Sequence, residues 1–150
     1  MAKELEQKPK IGVGVHILNK QNQLLLMKRA GKFEADTWCP PGGKLEYGET
    51  FLAAGAREAL EESDITVKKL ELAAVTDDFY PSGAHYVTLH LKVLEYSGEP
   101  KIMEPDKCSE IKWFDLDKLP DNLLLSTKNF FKSNPLCLRV SGAKIVTPEK

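Results

Sequence analysis

The chain has 150 residues, of which 42% are hydrophobic and 29% charged, and its formal net charge is −1. This length predicts one domain, spanning residues 1–150, with a core of its own. The near-neutral charge argues against a nucleic-acid or membrane-surface binder, which would need an excess of basic residues, so we expect neither among its partners.

The first half of the chain predicts two strands and one helix. Residues 11–17 alternate between apolar and small or polar side chains, which indicates a strand with one densely apolar face. Residues 24–29 are nearly all apolar at first and predict a second, more fully buried strand. After a loop over residues 31–38, a helix is expected from its N-cap, Thr50, to about Glu62.

The second half adds strands and a further helix. Residues 65–80 and 85–96 have strand character and are separated by a short turn, and residues 111–116 form a shorter strand. Residues 120–132 have helical spacing, with Pro120 at the entry. Strands and helices that mix without a strict βαβ repeat predict an α/β or α+β sandwich around a mixed sheet.

The two ends and the cysteines bear on order and compartment. We expect residues 1–9 and 141–150 to be poorly ordered. The polar N-terminus has no apolar core of a signal peptide, and no apolar run approaches membrane-spanning length. Cys39, Cys108 and Cys137 are widely spaced, without a CxxC pair, which predicts structural free thiols in a reducing cytoplasm.

The first predicted helix carries an unusual concentration of acidic residues. At about 100° per residue, Glu58 and Glu62 lie within about 40° of each other, and Glu61 lies about 60° further round. Ala54 and Gly55 stand on the turn before them, which we interpret as clearance for a ligand. The residues expected to pack this helix on the sheet form the opposite, apolar face: Leu52, Ala53, Ala56, Ala59 and Leu60.

Such a helix has a plain alternative, a solvated acidic face. However, like charges four residues apart disfavour a helix, and acidic residues near its C-terminus oppose the macrodipole. Three converging carboxylates instead suit a hard divalent cation, which prefers oxygen ligands. In the preceding loop, Pro40–Gly43 forms either a tight structural turn or, through Gly42 and Gly43, a close approach of backbone to a ligand.

From Gly43 to Ile65 the residues GKLEYGETFLAAGAREALEESDI resemble the Nudix box, G-x5-E-x7-R-E-U-x-E-E-x-G-U with U aliphatic. Asp64 stands where the box has glycine; because Asp tolerates the left-handed conformation better than most residues, we expect a small effect on stability. The stretches HYVTLHLKV and EPKIMEPDKCSEIKWFDLDKLP extend the resemblance, to the small MutT-type branch, over residues 10–133. The fixed positions of the box that match are Gly43, Glu49, Arg57, Glu58, Glu61, Glu62 and Ile65.

The resemblance implies a fold and an activity. The family fold is an α/β/α sandwich around a mixed β-sheet, and its reaction is hydrolysis of a nucleoside diphosphate linked to another moiety. The branch implies a homodimer that hydrolyses (deoxy)nucleoside triphosphates, including oxidised or modified ones, to nucleoside monophosphate and pyrophosphate. The alternatives are a Nudix pyrophosphatase acting on ADP-ribose, NADH or another nucleoside diphosphate derivative, and a non-catalytic Nudix-like binding module.

The resemblance also assigns roles within the box. Glu58, Glu61 and Glu62 would hold Mg²⁺ or Mn²⁺, with the carbonyl of Gly43 as a further ligand. Glu61 and Glu62 rank first as the base that takes a proton from the attacking water. The remaining pair, Arg57 and Glu49, would brace the loop against the helix.

Residues outside these positions complete the candidate site. Arg29, at the end of the second strand, and Lys44 are candidates for contacts with substrate phosphates, each with a solvated surface cation as the alternative. His85 either lies near the substrate or is structural. Glu110 is the expected distal metal ligand, with Glu104 and Asp106 also available. Three aromatic residues are candidates for base stacking or for the core: Phe33, Trp38 and Phe79.

Overall fold

Seven strands and two helices make up residues 7–133, the part of the chain that the computed structural model describes. Most of the ends expected to be poorly ordered, and Cys137, lie outside the described residues. In chain order the elements are β1 (Lys10–His16), β2 (Gln23–Arg29), β3 (Trp38–Cys39), β4 (Gly42–Lys44), α1 (Phe51–Ser63), β5 (Thr66–Phe79), β6 (His85–Ser97), β7 (Cys108–Asp115) and α2 (Leu125–Ser133).

The strands form two sheets. The four-stranded sheet has the order β4-β1-β6-β5, in which β1 and β6 run parallel and the other neighbours antiparallel. The three-stranded sheet has the order β3-β2-β7 and is antiparallel throughout. Helix α1 contacts β1, β4 and β5, and α2 contacts β5. The predicted α/β fold with a mixed sheet is confirmed.

Strand β2 lies between two parts of the core. Its side chains alternate in direction, so Leu24 and Leu26 pack with Phe130 of α2, whereas Leu25 packs with Val15 and Ile17. Burial on both faces explains why this strand is apolar at successive positions, as the sequence predicted.

Helix α1 begins and ends where its sequence directs. The Oγ1 atom of Thr50 accepts a hydrogen bond of 3.2 Å from the backbone N–H of Ala53, which confirms Thr50 as the N-cap. The helix ends at Ser63, one residue beyond the predicted end. Asp64 follows in the left-handed conformation, with φ of 61°, in agreement with the expectation for an Asp at this position.

The face of α1 that meets the sheet matches the predicted one at Ala59 but not at the two leucines. Ala54, Gly55 and Ala59 are buried, whereas Leu52 and Leu60 are 37% and 47% exposed. A Cβ atom at Gly55 would lie 2.4 Å from Cδ1 of Leu91. The prediction that Ala54 and Gly55 clear space for a ligand is therefore wrong: these small residues let the helix lie close to the sheet.

Helix α2 also differs from its predicted start. It begins at Leu125, five residues after Pro120, because the intervening backbone pairs with β3. The N–H of Trp38 donates to the carbonyl of Asn122 over 2.9 Å, and the N–H of Leu124 donates to the carbonyl of Trp38 over 2.8 Å. Neither helix in residues 7–133 is long and apolar enough to cross a bilayer.

Candidate active site

A cavity of about 530 Å³ is lined by residues from both sheets and both helices. One group of its lining residues, the acidic group, consists of Glu58, Glu61 and Glu62 from the C-terminal half of α1, next to the Gly42–Lys44 strand. A second group is aromatic and consists of Phe33, Tyr80 and Tyr86. Polar recognition and apolar stacking are therefore available in one cavity, the usual composition of a small-molecule site.

Glu62 is the most strongly perturbed carboxyl group of the acidic group. Its Oε1 atom accepts a 2.7 Å hydrogen bond from the backbone N–H of Gly42. Burial raises the pKa of Glu62 to about 8, and the nearby charges of Glu58 and Glu104 act in the same direction. A carboxyl group with such a pKa in a cavity is a candidate functional group.

Glu58 lies against the backbone of β4. Burial raises the pKa of Glu58, and the neighbouring guanidinium of Arg57 partly offsets this effect. A Cβ atom at Gly43 would lie 2.6 Å from the carboxyl carbon of Glu58, so only glycine leaves room for the carboxylate. Gly43, the first position of the box, thus brings backbone close to a helix glutamate.

Arg57 connects the loop before α1 with the acidic group. Its Nη2 and Nε atoms donate to the two carboxylate oxygens of Glu49 over 2.7 and 3.1 Å. Its Nη1 atom donates to Glu58 over 2.8 Å and lies 3.4 Å from Glu61, and its Nη2 atom lies 3.4 Å from the carbonyl of Lys44. The bidentate contact lowers the pKa of Glu49. The expected Arg57–Glu49 contact is present.

The acidic group has the donor chemistry of a divalent cation site without being a closed cage. Within residues 7–133, no three acidic, histidine or cysteine side chains converge closely enough to enclose an ion. The reason is that Arg57 holds Glu58 and Glu61, while Glu62 is bonded to Gly42. Carboxylate oxygens are nevertheless the ligands that Mg²⁺ prefers, and a cation would offset the burial of Glu58 and Glu62.

Both predicted phosphate-binding cations lie at the cavity. The Nε atom of Arg29 donates to the carbonyl of Phe33 over 3.0 Å, and its guanidinium lies 5.5 Å from the ring of Phe33. Lys44 is exposed at the end of β4 and lines the same cavity. Arg29 thus lies beside the aromatic group, and its charge lowers the pKa values that burial raises in both Glu62 and Tyr80.

The expected distal ligand, Glu110, is not brought to the cavity. Its side chain is 54% exposed and lies 4.0 Å from Nζ of Lys28. A register shift between Lys28 and Arg29 separates Glu110 from Cys108, which does line the cavity. Of the two alternatives that the sequence left open, Glu104 lines the cavity and raises the pKa of Glu58.

His85 also lies away from the cavity. Successive residues of a strand point to opposite faces, and Tyr86, Thr88 and His90 are the residues of β6 that face the cavity. His85 instead stacks on Phe79, with ring centroids 4.3 Å apart, and its Nε2 atom lies 3.3 Å from Asp77. This placement corresponds to the structural alternative for His85.

Of the three aromatic candidates, only Phe33 lines the cavity. Trp38 is 6% exposed in the core, and Phe79 is 68% exposed on the outside. The partners of Phe33 are Tyr80, with centroids 4.9 Å apart, and Tyr86, at 6.1 Å. Sequence reasoning missed both tyrosines, although the alternation of β6 already placed Tyr86 opposite His85.

Glycines of β1 make the floor of the cavity, which the sequence analysis also missed. Gly12 pairs with Thr88, and Gly14 pairs with His90, in the parallel β1–β6 ladder. Because the glycines have no side chains, the Thr88 and His90 side chains of the neighbouring strand remain open to the cavity. The repeated glycine in GVGV is the signal that could have indicated this.

The thiols and buried histidines near the cavity are held in neutral forms. Burial raises the pKa of Cys39 to about 11 and also raises the pKa of Cys108, so both fit the structural role predicted for them. His90 bonds to His16 over 3.0 Å and to Thr76 over 2.9 Å. Burial lowers the pKa of His90 to about 3 and that of His16 well below its ordinary value.

Comparison with known proteins agrees with the resemblance seen in the sequence and with the fold. The NUDIX domain model matches residues 8–134. The chain is 38% identical over 98 residues to the oxidized purine nucleoside triphosphate hydrolase of Danio rerio, covering 65% of this chain and 60% of that protein. It is 34% identical over 106 residues to the ADP-ribose pyrophosphatase of Methanocaldococcus jannaschii, covering 69% and 61%. The chain thus spans less than two thirds of the length of these two relatives.

The fold has a solved counterpart at similar identity. The MutT NUDIX hydrolase from Burkholderia pseudomallei superposes with a TM-score of 0.76 at 35% identity, covering 81% of this chain and 94% of that chain. The family model covers well over half of the chain, and the structural neighbour has the same mixed α/β architecture. The chain therefore belongs to the Nudix family and resembles its MutT-type members.

Proposed function

We propose that this chain hydrolyses (deoxy)nucleoside triphosphates, including oxidised or modified ones, to nucleoside monophosphate and pyrophosphate. The observation that carries the proposal is the position of two partly buried carboxyl groups, Glu58 and Glu62, against the Gly42–Gly43 backbone in a cavity that also holds Arg29 and three aromatic rings. Such a cavity offers separate contacts for a phosphate chain and for a base. The name of the Danio relative agrees with a purine nucleoside triphosphate as substrate.

The reaction that we propose depends on Mg²⁺ or Mn²⁺, since Nudix hydrolases generally use divalent metals. Glu58, Glu61 and Glu62 would hold the ion, with the Gly43 carbonyl as a further ligand and Glu104, rather than Glu110, as the distal acid. When bound, the cation stabilises charge on the phosphate oxygens and activates water.

Residues of the chain itself bind the phosphates and accept the proton. Arg29 and Lys44 bind the phosphates electrostatically, while Glu61 or Glu62 takes the proton of the attacking water. The Arg57–Glu49 contact holds the loop before α1 against the helix, next to β4. Contact with Arg57 leaves Glu61 exposed, at 52% of its side chain, whereas Glu62 is partly buried and accepts a hydrogen bond from Gly42.

The base is proposed to stack in the aromatic group of Phe33, Tyr80 and Tyr86. Rings whose centroids are 4.9 to 6.1 Å apart form one apolar surface, and stacking on it does not depend on the identity of the base. Arg29 lines the same cavity in contact with Phe33, so a nucleotide whose phosphates meet α1 and Arg29 would place its base near these rings.

The decisive experiment is incubation of the protein with a nucleotide panel and Mg²⁺, followed by identification of the products. Nucleoside monophosphate with pyrophosphate supports the proposal. Orthophosphate as the first product, or no turnover of any triphosphate, contradicts it. The panel tests the substrate class, the metal requirement and the leaving group together.

Glu61→Gln and Glu62→Gln test the catalytic role of the helix. Each variant removes one carboxylate at nearly constant volume, and we expect turnover to fall by about two orders of magnitude or more. Glu95→Gln, on the exposed part of β6, is the matched control and should not alter turnover. If neither glutamate variant lowers Mg²⁺-dependent turnover, the catalytic role proposed for this helix fails; absence of any turnover in the unmodified protein would instead favour a Nudix-like binding module.

A second candidate function is cleavage of ADP-ribose, NADH or another nucleoside diphosphate derivative. The similarity to the ADP-ribose pyrophosphatase of Methanocaldococcus jannaschii favours it. AMP together with a sugar phosphate as products would establish this alternative and displace the triphosphate proposal.

The assembly and the location are proposals of the same standing. We propose one domain over residues 1–150, a homodimer, and a cytoplasmic protein that binds nucleotide substrates rather than nucleic acids. Light scattering of the full chain tests the homodimer, and a mass equal to one chain would contradict it.

A further inference from the structure

A buried carboxylate, Asp78, stands directly behind the cavity. Asp78 is fully buried near the end of β5, yet none of its atoms faces a cation in the described contacts. Its Oδ1 atom accepts a 2.8 Å hydrogen bond from Nδ2 of Asn129 in α2, and its Oδ2 atom accepts one of 2.5 Å from Oγ1 of Thr88. Two donors converge on this carboxylate, one on each oxygen.

The contact with Asp78 fixes the polarity of the Thr88 hydroxyl. A hydroxyl group has one proton and two lone pairs. Because Oγ1 of Thr88 donates to Oδ2 of Asp78, the single proton of the hydroxyl is directed at Asp78. Toward its other side, the Thr88 oxygen therefore presents lone pairs alone.

That other side is the cavity floor. A Cβ atom at Gly12 would lie 3.8 Å from Oγ1 of Thr88 and 3.6 Å from Cδ1 of Tyr86, so the glycine leaves open the space in front of both groups. Tyr86 belongs to the aromatic group proposed to stack the base. The hydroxyl oxygen of Thr88 is thus held as an acceptor beside the surface on which a base would lie.

We propose that Thr88 is a specificity-determining residue that accepts a hydrogen bond from an N–H donor of the bound nucleobase, and that Asp78 is the positioning residue that holds it in this role. The inference rests on the proposed function, which supplies the nucleotide. Guanine is the fitting base class, since its Watson–Crick edge carries two N–H donors, the ring N1–H and the exocyclic amino group.

The test measures binding of the reaction product, so that it does not depend on turnover. Calorimetric titration of the full chain with dGMP, dIMP and 1-methyl-dGMP in Mg²⁺ compares guanine with analogues that lack one donor each. A lost neutral hydrogen bond corresponds to about a 3- to 10-fold weaker Kd. We expect this weakening for one of the two analogues with the unmodified protein.

Two variants should remove the discrimination. Thr88→Val deletes the acceptor at nearly constant shape. In Asp78→Asn, the amide oxygen can still accept from Asn129 while the amide nitrogen donates to Thr88, so the hydroxyl proton of Thr88 is released toward the cavity. Both variants should bind dGMP and its analogues with Kd values within about twofold of each other, the value expected once no hydrogen bond distinguishes them.

Two matched variants should retain the discrimination between dGMP and its analogues. Thr88→Ser keeps the hydroxyl and should keep the preference for dGMP. Asp77→Asn makes the same change of charge one residue away on β5, where the side chain is 67% exposed and contacts His85 rather than Thr88. Circular dichroism identifies any variant that fails to fold; if Asp78→Asn is one, the comparison of Thr88→Val with Thr88→Ser decides.

Three results would overturn the inference. They are equal binding of all three nucleotides by the unmodified protein, a preference for dGMP that survives in Thr88→Val, and a preference for dGMP that survives in folded Asp78→Asn. Each can occur while the protein still hydrolyses triphosphates, and then only the role of Thr88 and Asp78 fails. Absence of triphosphate hydrolysis in the panel would instead count against the proposed function.

Discussion

Gly43 and Glu58 approach each other so closely that a Cβ atom at position 43 would lie 2.6 Å from the carboxyl carbon of Glu58. The obstructing group is the end of a flexible side chain, so Gly43→Ala should fold while displacing the Glu58 carboxylate. Misplacing a reacting group by about 1 Å can cost about 100-fold in rate, and we expect a loss of 10- to 100-fold in kcat/KM. Steady-state kinetics with Mg²⁺ provides the measurement.

The control for this substitution is Gly31→Ala. Gly31 also lines the cavity, but a Cβ atom there meets nothing within 4 Å. Its kcat/KM should stay within about threefold of the unmodified value, as expected when no reacting group moves. Equal losses in both variants would show that the contact with Glu58 does not matter.

The bidentate contact between Arg57 and Glu49 leads to a second prediction. Lysine cannot reproduce two parallel hydrogen bonds, so Arg57→Lys should free Glu49 and loosen the contact with Glu58. We expect kcat/KM to fall about 10- to 100-fold, because positioning rather than chemistry is lost. Steady-state kinetics of Arg57→Lys, Glu49→Gln and the double variant provides the measurement. The kcat/KM of the double variant should be close to that of either single variant. Fully additive losses in kcat/KM would contradict a shared contact.

Much of the fold and of the acidic group was predictable from residue pattern. Thr50 is a recognised capping residue, and the fixed spacing of the box identified Glu58 and Glu62. Local signals succeed here because capping and helical spacing act within a few residues. The prediction of the packing face of α1 failed for the opposite reason. Gly55 is buried against Leu91, a residue 36 positions later in the chain. Helical periodicity alone favoured the larger Leu52 instead.

The cavity itself depends on contacts that no local pattern reports. Glu110 and Glu104 are both acidic and near one another in sequence, but Glu110 pairs with Lys28 in the β2–β7 ladder, whereas Glu104 precedes β7 and lines the cavity. The exposure of Thr88 to the cavity depends on a glycine in a strand that is 76 residues earlier, Gly12. Such positions follow from strand pairing, which sequence reasoning did not determine.

Glu62 provides a prediction about metal removal. Its carboxyl group is partly buried and has a pKa raised by burial to about 8, so its ionised form is disfavoured in the absence of a cation. Glu62→Gln keeps the acceptor for Gly42 and removes this charge, and we expect a higher Tm than the unmodified protein in EDTA. In Mg²⁺ the unmodified protein should gain more in Tm than the variant, because it binds the cation more tightly.

Differential scanning fluorimetry in EDTA and in Mg²⁺ makes this comparison without reference to activity. Glu95→Gln, which removes an exposed carboxylate of β6, should show the Mg²⁺ response of the unmodified protein. An equal gain in Tm for Glu62→Gln and for the unmodified protein would mean that Glu62 is not a metal ligand.

Glu104 and Glu110 provide a fourth prediction, in which the structure and the sequence differ. Glu104 lines the cavity and influences the pKa of Glu62, whereas Glu110 lies beside Lys28 and is about half exposed. Glu104→Gln should therefore raise the Mg²⁺ concentration needed for half-maximal rate by about 10-fold, the lower end for residues that support a metal site. Glu110→Gln is the matched control, and a larger effect from it than from Glu104→Gln would restore the assignment made from the sequence.

The paired histidines His16 and His90 provide a prediction about acid stability. Both are buried, and burial lowers the pKa of His90 from 6.5 to about 3 and that of His16 well below 6.5. The folded protein therefore holds them neutral, whereas the unfolded chain takes up protons as the pH falls below about 6.5. Their contribution to stability is complete above that pH and decreases as the pH falls toward 3.

For His90 alone, the loss between pH 7 and pH 5 should be about 2 kcal/mol in the free energy of unfolding. Urea denaturation at several pH values between 7 and 5 measures this slope. His90→Gln removes the ionisable ring, so the variant should be less stable at pH 7 but lose less stability on acidification. His85→Gln, which alters an exposed histidine next to Phe79, leaves the buried pair in place and should keep the full slope. A slope in His90→Gln as steep as that of the unmodified protein would mean that other groups cause the acid sensitivity.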